Sequence, residues 1–351
     1  MKRKYYYLKF GIIALFFSML FTSAFAKNEV VKLVCEYKTN PLGIDIVKLR
    51  LSWQLVSPGK DVMQSAYELR VSSSLAKLNS NKLIWSTGKV NSSQSVNSEY
   101  VGPMLKSMQR VYWKVRVWDN KNKVSRWSEP AYWEMGILEA ELWTASWITM
   151  KDEKNADGSW PAQYYRNEFS TTKKIRSARI YVSSLGLYQL FLNGEKVGDE
   201  YFTPGWTSYN KRLQYQVYDV TGMLQQKNAI GAILGDGWYR GKIGYVIPHS
   251  YYGDQLALFF QLKVNYTDGS SETIISDKNW KVNNGPILQS GIYDGELYDA
   301  RLEMDGWESN GFDDINWEDV VILDHPKNML VASMGVSMKS FEEIKPIKIL
   351  T

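Results

Sequence analysis

Aromatic side chains beside glycines are the residues of this sequence best suited to hold a ligand. The runs P-G-W-T-S-Y at 204–209 and L-G-D-G-W-Y-R-G at 234–241 place these rings next to turn-forming residues, outside strands. Flat rings pack against the C–H face of a pyranose, so a sandwich with aromatic loops is suited to bind a sugar. Packing between sheets would explain the same rings about as well. The candidate sugar-contacting aromatic residues are Trp206, Trp238, Tyr239 and Tyr252.

The most polar stretch is Y-D-G-E-L-Y-D-A-R at 293–301. Its carboxylates would permit the acid and base roles of a glycosidase, in which two such groups flank the bond that breaks. Side chains alternate between faces in a strand, however, and the same spacing predicts an ion pair between Asp299 and Arg301 at a strand edge. The structural or domain-contact interpretation is favoured. A complete enzyme that uses Asp236, Asp294 or Glu296 is the alternative.

Composition gives little support to other reaction classes. The chain has two histidines, and neither accompanies a G-x-S-x-G nucleophile turn. Its one cysteine, Cys35, follows an apolar run in a predicted strand, which indicates a buried thiol.

The elements that position these loops are predicted to be strands throughout. No segment has helical periodicity sustained over three turns, whereas short alternating runs separated by turn residues recur along the chain. We therefore predict an all-β chain of two tandem antiparallel β-sandwiches, a fibronectin III-like domain followed by a jelly roll. The predicted boundaries are 27–137 for the first domain, 137–147 for a linker and 148–330 for the second domain.

The first domain has a strand pattern that resembles a fibronectin type III domain. Its predicted strands contain Leu49 to Trp53, Tyr67 to Val71, Tyr112 to Trp118 and Tyr132 to Met135. Tryptophans and tyrosines on such strands pack under the two sheets of a sandwich. The pattern favours a spacer or scaffold role.

Turn chemistry organises the second domain. Asn193-Gly194 predicts a two-residue hairpin turn, because both residues tolerate positive φ. Leu256 to Tyr266 alternates apolar and polar residues, and Asp268-Gly269 turns it into Glu272 to Ser276. The number and spacing of these strands predict a jelly roll.

Residues 1–26 have the features of a secretory signal peptide. Basic residues precede an apolar run from Phe10 to Phe21, and Ala24-Phe25-Ala26 forms an A-x-A cleavage site. The apolar run is short for a membrane span. An uncleaved anchor is the alternative. We expect a secreted or periplasmic protein that begins at Lys27 after cleavage and has no membrane span.

Without that leader the chain is nearly neutral. The leader holds four of the 42 basic residues and none of the 37 acidic ones, which leaves 38 against 37. No electrostatic attraction to nucleic acid or to an anionic membrane is therefore expected. With 14 tryptophans and 23 tyrosines in a neutral chain, the loop aromatics favour carbohydrate over nucleic acid as the partner.

Five motifs of the second domain, taken together, resemble the N-terminal β-sandwich of bacterial α-L-rhamnosidases of glycoside hydrolase family 78. They are N-G-E-K-V-G-D (193–199), P-G-W-T-S-Y (204–209), D-V-T-G-M-L (219–224), L-G-D-G-W-Y-R-G (234–241) and Y-D-G-E-L-Y-D-A-R (293–301). D-V-T-x-x-L also occurs in galactose-binding-like folds, so the combination is more specific than any one motif. The resemblance implies a rhamnose-binding module similar to carbohydrate-binding module family 67.

The same resemblance implies that sugar binding and catalysis belong to different domains. In that family the catalytic acid and base lie in a large helical (α/α)₆ barrel further along, and this sequence contains no such helical pattern. We therefore expect a secreted bacterial N-terminal portion that binds L-rhamnose-containing polysaccharide or glycoside without hydrolysing it. A structural brace for a catalytic domain is a further alternative. Residues 331–351 are predicted to start a following segment that is truncated.

Rhamnose binding in modules of this kind can depend on calcium, which is the predicted cofactor. A hard cation takes vicinal sugar hydroxyls as ligands, together with carboxylates and carbonyls. The residues predicted to hold it are Asn193, Asp236 and Asp254, and Asp236, flanked by two glycines, is also a predicted sugar contact. Structural explanations compete, because the turn accounts for Asn193 and because Asp236 could cap a loop N–H.

Overall fold

The computed structural model describes residues 28–151, 155 and 159–348. The predicted signal peptide lies outside these residues. Contacts divide the described residues into two compact units. The first contains residues 28–41, 46–104 and 110–133, and the second contains residues 42–45, 105–109 and the described residues from 134 to 348. Within the described ranges, no helix is long and apolar enough to cross a membrane.

The first unit is a β-sandwich with one short helix. Its elements are β1 (Glu29–Cys35), β2 (Arg50–Val56), β3 (Gln64–Ser72), α1 (Leu75–Asn79), β4 (Trp85–Ser86), β5 (Ser98–Glu99), β6 (Arg110–Asp119) and β7 (Ala131–Glu134). One sheet has the order β1-β2-β5 and the other the order β4-β3-β6-β7. The pairs β1–β2, β2–β5, β3–β4 and β3–β6 are antiparallel.

The core of the first unit follows from the alternation of β6. Val111, Trp113, Val115 and Val117 are fully buried, and the residues between them are not. From the other sheet, Trp53 is also buried, and its indole N–H donates to Gln64 Oε1 over 2.9 Å. A buried indole with a partner for its N–H is stable in a core. The strands predicted for this unit are therefore present.

The second unit contains most of the strands. They are β8 (Trp147–Thr149), β9 (Gln163–Ser170), β10 (Ile175–Leu185), β11 (Leu187–Leu192), β12 (Glu195–Lys196), β13 (Glu200–Tyr201), β14 (Leu213–Asp219), β15 (Lys227–Gly235), β16 (Ala257–Tyr266), β17 (Ser271–Ile275), β18 (Lys281–Asn284), β19 (Ile287–Gly291), β20 (Gly295–Tyr298), β21 (Glu318–Asp319), β22 (Val321–Leu323), β23 (Leu330–Ala332) and β24 (Met338–Lys339). A helix, α2 (Gly237–Arg240), and 3₁₀ turns at Ala140–Leu142 and Ala300–Leu302 complete it.

Two large sheets form the sandwich of the second unit. One has the order β22-β8-β16-β10-β14-β23 with β17 also paired to β16, and the other has the order β12-β11-β15-β9-β18-β21. The ladder between β14 and β23 is parallel, a departure from the antiparallel pattern expected from sequence. The hairpin β19–β20 and the pair β13–β24 lie outside these sheets. The prediction of an all-β chain with two tandem sandwiches is confirmed.

Local turn signals were accurate in this unit. Asn193 and Gly194 have φ of 55° and 84°, and they join β11 to β12 as a two-residue hairpin turn. The alternation in β16 is present but incomplete, because Phe259 and Gln261 on its second face are buried as well. A strand at the centre of a sheet covered on both faces loses its polar face.

The segment predicted to be a linker belongs to the core of the second unit. Ile137, Trp143 and Trp147 are buried there, and the Trp143 ring meets Phe259 edge-on at 5.6 Å between centroids. The predicted boundary at 148 therefore starts the second domain too late. The residues after 330 also contribute, since β23 pairs with β14 and β24 pairs with β13.

Candidate functional site

Two parallel tryptophan rings form the centre of the aromatic surface on the second unit. Trp206 stacks on Trp238 with 5.7 Å between ring centroids and 5° between ring planes. Trp206 lies in the loop before β14 and is 49% exposed, whereas Trp238 lies on α2 and is half-buried. The Phe202 ring packs against Trp238 at a tilt of 52°, with 6.0 Å between ring centroids. The arrangement leaves an exposed flat ring of the type that binds a sugar face.

A buried ion pair holds α2 in place beneath these rings. Arg240 Nε donates to Asp236 Oδ1 over 2.6 Å, and the guanidinium lies 4.7 Å from the centre of the Trp160 ring. Asp236 is 5% exposed and Arg240 is fully buried. Asp236 was expected to be an accessible carboxylate, and the structure differs because the chain turns into α2 and brings Arg240 back over it. Its carboxylate supports the turn that carries Trp238, and the Asp236 side chain is only 6% exposed.

A cleft of about 170 Å³ begins at Trp238. The pair β13–β24 closes one side of it, and Gln214 and Gln216 from β14 line another. Gln216 is fixed, because its Nε2 donates to Pro204 O over 3.0 Å and its Oε1 accepts from Tyr188 Oη over 2.8 Å. Gln214 is half-buried, and an amide there can both donate to and accept from hydroxyl groups.

The predicted platform residue Tyr239 lies in the core. Its ring is 8% exposed and meets Tyr209 edge-on at 5.4 Å. Burial, and then the charge of Asp254, raise the pKa of the Tyr239 hydroxyl to about 12. The Tyr239 ring is therefore part of the core, because ring faces that touch core neighbours are closed to a ligand. Tyr252 is half-buried and continues this row of rings, 5.0 Å from Tyr209.

The predicted metal ligands are not brought together. Asn193 and Asp236 follow opposite ends of the β11–β15 ladder, which runs from Leu192 opposite Ile230 to Leu187 opposite Gly235. At roughly 3.4 Å per residue the ladder itself is about 17 Å long, and the two residues lie beyond its ends. A Ca²⁺ ion has its ligands at about 2.4 Å, so one ion cannot join them.

Structural bonds also occupy the side chain of Asn193. Its Nδ2 donates to Met223 O and to Asn228 Oδ1, and its Oδ1 accepts from Ala229 N. Asp254 is exposed. Over the described part of the chain, no group of three or more His, Cys, Asp or Glu residues could hold a metal ion. These three residues therefore do not fit a calcium site.

The polar motif at 293–301 forms a hairpin and a 3₁₀ turn. Asp299 caps the turn, accepting from Arg301 N, and its carboxylate forms a two-point ion pair with Arg301 at 2.5 and 2.8 Å. That ion pair was predicted, although the chain leaves the strand at Asp299. Asp294, on the same hairpin, meets His249 Nε2 at 3.0 Å and Lys242 Nζ at 3.4 Å. These contacts fasten the hairpin β19–β20 to the loop that follows α2.

Sequence reasoning missed several residues around the tryptophan pair. Phe202, with φ of 55°, and Gln214 line the cleft, and Tyr209 packs against both Tyr239 and Tyr252. Gln214 and Gln216 stand two apart in β14 among Leu, Tyr and Val residues, and this alternation could have indicated them. The part of the cleft formed by 333–338 had no local signal, because it arrives from the far end of the unit.

The fold and this surface together define a tandem β-sandwich protein with aromatic loops around a cleft in its second domain. Two family models match. Residues 30–139 match the "Rha78A-like, N-terminal immunoglobulin domain" and residues 173–342 match the "Alpha-L-rhamnosidase N-terminal domain". The chain thus belongs to the N-terminal region of the α-L-rhamnosidases of glycoside hydrolase family 78.

Curated relatives agree with that assignment. An α-L-rhamnosidase of Formosa agariphila is 38% identical over 313 residues, covering 82% of this chain and 33% of that protein. An α-L-rhamnosidase of Alteromonas sp. is 34% identical over 318 residues, covering 88% and 34%. This chain spans about a third of the length of these relatives.

Solved structures share the fold. The α-L-rhamnosidase from Dictyoglumus thermophilum matches with TM-score 0.79 and 40% identity over 87% of this chain and 35% of that one. That of Streptomyces avermitilis, solved in complex with L-rhamnose, matches with TM-score 0.79 and 29% identity over 85% and 45%. A sequence match to an α-L-rhamnosidase of S. avermitilis is 449 residues long, more than this chain contains. That protein therefore has additional segments inside the matched region.

Proposed function

We propose that the second unit binds L-rhamnose-containing carbohydrate through the surface formed by Trp206, Trp238 and the adjoining cleft. The observation behind the proposal is the parallel pair of rings, in which Trp206 is half-exposed and Trp238 lines a cleft together with Gln214. An aromatic face takes the C–H side of a pyranose, and an amide exchanges hydrogen bonds with its hydroxyls. The similarity to α-L-rhamnosidases supports rhamnose as the sugar.

We also propose that the chain binds this sugar without hydrolysing it. The described helices, α1 and α2, have five and four residues, so they do not form the helical barrel in which the family places its acid and base. The test is incubation of residues 27–351 with an aryl α-L-rhamnoside, for which we expect no product above background. Turnover that disappears in Glu296→Gln would contradict the proposal.

Calorimetry with L-rhamnose tests the binding site directly. A single exposed site of this kind is expected to bind with Kd about 10⁻⁴ M, or about −5.5 kcal/mol. Trp206→Ala should abolish measurable heat and leave the melting curve nearly unchanged, because the ring is half-exposed. Phe341→Ala is the matched control, since Phe341 is exposed and does not line this cleft. If Trp206→Ala binds L-rhamnose as the unmodified chain does, the sugar does not bind at Trp206.

Export from the cytoplasm is part of the same proposal. It is supported by the predicted signal peptide at residues 1–26. Expression of the full chain in a bacterium, followed by fractionation and N-terminal sequencing, should give a protein that begins at Lys27 outside the cytoplasm. A cytoplasmic product that begins at Met1 would contradict it.

A further inference from the structure

The cleft at Trp238 has one wall that comes from the far end of the second unit. Residues 333–339 follow β23, line the cleft and end in β24, and we call them the strap. The strap residues that line the cleft are Ser333, Gly335, Val336, Ser337 and Met338. The strap therefore forms part of the sugar site proposed above.

The strap is anchored at both ends. At its start, Ser333 N donates to Tyr215 O over 3.1 Å. At its end, β24 pairs with β13, and Ser337 Oγ donates to Glu200 Oε1 over 3.0 Å. A wall that is held in place before the ligand arrives lowers the entropy cost of binding.

Apolar side chains make up much of the surface of this wall. Val336 is 95% exposed and Met338 is 58% exposed, and both line the cleft. Phe202, which follows β13, adds a partly exposed ring to the same cleft. Covering apolar surface with an apolar group of a ligand is favourable. The strap therefore favours a ligand that places a methyl group, and not a hydroxyl group, against it.

A different wall of the cleft is polar. Among the residues that the structure describes, none forms a hydrogen bond with the side-chain amide of Gln214. A Cβ on Gly205 would come within 3.1 Å of Gln214 Nε2, so the amide lies close over the Gly205 backbone. An amide in this state has its donors and its acceptor available for sugar hydroxyls. The cleft thus presents an apolar wall and a polar wall to one ligand.

We propose that this cleft selects a 6-deoxy sugar, with the methyl group of the sugar against Val336 and Met338 and its ring hydroxyls toward Gln214. The selectivity rests on the function proposed for this cleft and names the part of the sugar that is recognised. L-Mannose has a hydroxymethyl group where L-rhamnose has a methyl group, and the two sugars are otherwise identical. Against the strap, the additional hydroxyl loses water without gaining a hydrogen-bond partner, which costs free energy.

Calorimetry of residues 27–351 with L-rhamnose and with L-mannose tests the selectivity. We expect L-rhamnose to bind about tenfold more tightly, which is a modest discrimination because the apolar wall is open to solvent. Equal affinity for the two sugars would overturn the selectivity and leave the proposed sugar site in place. Heat with neither sugar would contradict the proposed function and the selectivity together.

A valine substitution tests the contact with the methyl group. Val336→Ser should lower the affinity for L-rhamnose about fivefold or more and leave that for L-mannose unchanged, so the preference is largely lost. Its melting curve should not change, because Val336 is exposed. Val246→Ser is the matched control, since Val246 is 91% exposed and does not line the cleft. If Val336→Ser keeps the preference, or if the control loses it, the strap does not contact the methyl group.

Hydrogen exchange gives a second measurement on the strap itself. With L-rhamnose at ten times its Kd, backbone amides of residues 333–339 should exchange up to about tenfold more slowly, because openings that release the ligand become rarer. Amides of β22, which does not line the cleft, serve as the internal control. Exchange in the strap that L-rhamnose leaves unchanged would overturn the proposal.

Discussion

Arg240 and Asp236 form an ion pair four residues apart at the two ends of a single helical turn, and neither side chain reaches solvent appreciably. The Arg240 Nε–Asp236 Oδ1 distance is 2.6 Å. The helical turn between them contains Trp238, which stacks on Trp206. The Arg240–Asp236 ion pair therefore fixes the helical turn that orients Trp238 in the stack.

Removing one partner of this pair should destabilise the second unit. Asp236→Ala leaves a buried guanidinium without its carboxylate, for which a loss of about 3–5 kcal/mol in the free energy of unfolding is expected. Denaturant unfolding measures it. Asp254→Ala, at an exposed carboxylate, is the control and should change stability by less than about 0.5 kcal/mol. A stable Asp236→Ala protein would show that the pair contributes little.

Gly231→Ala should disturb the packing around Trp307. The added Cβ would come within 2.7 Å of the Trp307 ring, which is packed against three other aromatic rings and cannot retreat freely. Overpacking of this kind costs about 1–3 kcal/mol. Gly222→Ala is the matched control, because a Cβ there meets nothing within 4 Å. Thermal melting of the two variants compares them, and equal melting temperatures would refute the packing argument.

Stability should fall between about pH 10 and pH 12 in a way that depends in part on Tyr239. Burial raises the pKa of its hydroxyl to about 12, whereas a tyrosine in the unfolded chain ionises near pH 10. In this window the folded state binds more protons than the unfolded state, so the free energy of unfolding decreases as pH rises. Tyr239→Phe should show a shallower decrease of the melting temperature across the window. Tyr245→Phe, at a fully exposed ring, should follow the unmodified chain.

Fragment boundaries should matter because the core extends past both predicted ends of the second domain. A fragment of residues 148–330 lacks Trp143 and Trp147, which are buried, and most of β23. It should melt at a lower temperature, or less cooperatively, than a fragment of residues 134–348. Calorimetric melting of both fragments provides the comparison. Identical melting transitions for the two fragments would support the boundaries 148–330.

Chelation should leave rhamnose binding unchanged. Asn193 and Asp236 lie at opposite ends of the β11–β15 ladder, and Asp236 is paired with Arg240, so the predicted ligands cannot share one Ca²⁺. The check is calorimetry with L-rhamnose in calcium and in excess chelator. Binding that disappears in chelator would reveal a calcium site built from other residues.

Local signals predicted the strands well and the site less well. Alternation in β6 and the Asn193-Gly194 turn are properties of neighbouring residues, and the structure has both. The aspartate and arginine of D-G-W-Y-R have the spacing of an ion pair across one helical turn, but glycines on both sides of Asp236 suggested an open loop. Helix α2 has only four residues, too few for a periodic signal.

Burial of single residues depended on distant contacts. The segment 137–147 has no alternation, and its tryptophans are recognisable as core only when β16 supplies Phe259 as a neighbour. Likewise, Trp206 and Tyr239 have similar sequence surroundings, yet one ring is exposed and the other packs on Tyr209. Sequence places both in loops, and tertiary packing decides which one faces solvent.

The parallel pairing of β14 with β23 has a consequence for synthesis on the ribosome. Leu213 lies opposite Leu330, and Ala332 N donates to Asp45 Oδ2, so the second unit joins chain positions made at widely separated times. A nascent chain that has emerged only to β22 has an incomplete sheet edge at β14. Long-range pairing of this kind slows folding and leaves strand edges open in the interval. The nascent second unit should therefore be a substrate for chaperones until its last strands emerge.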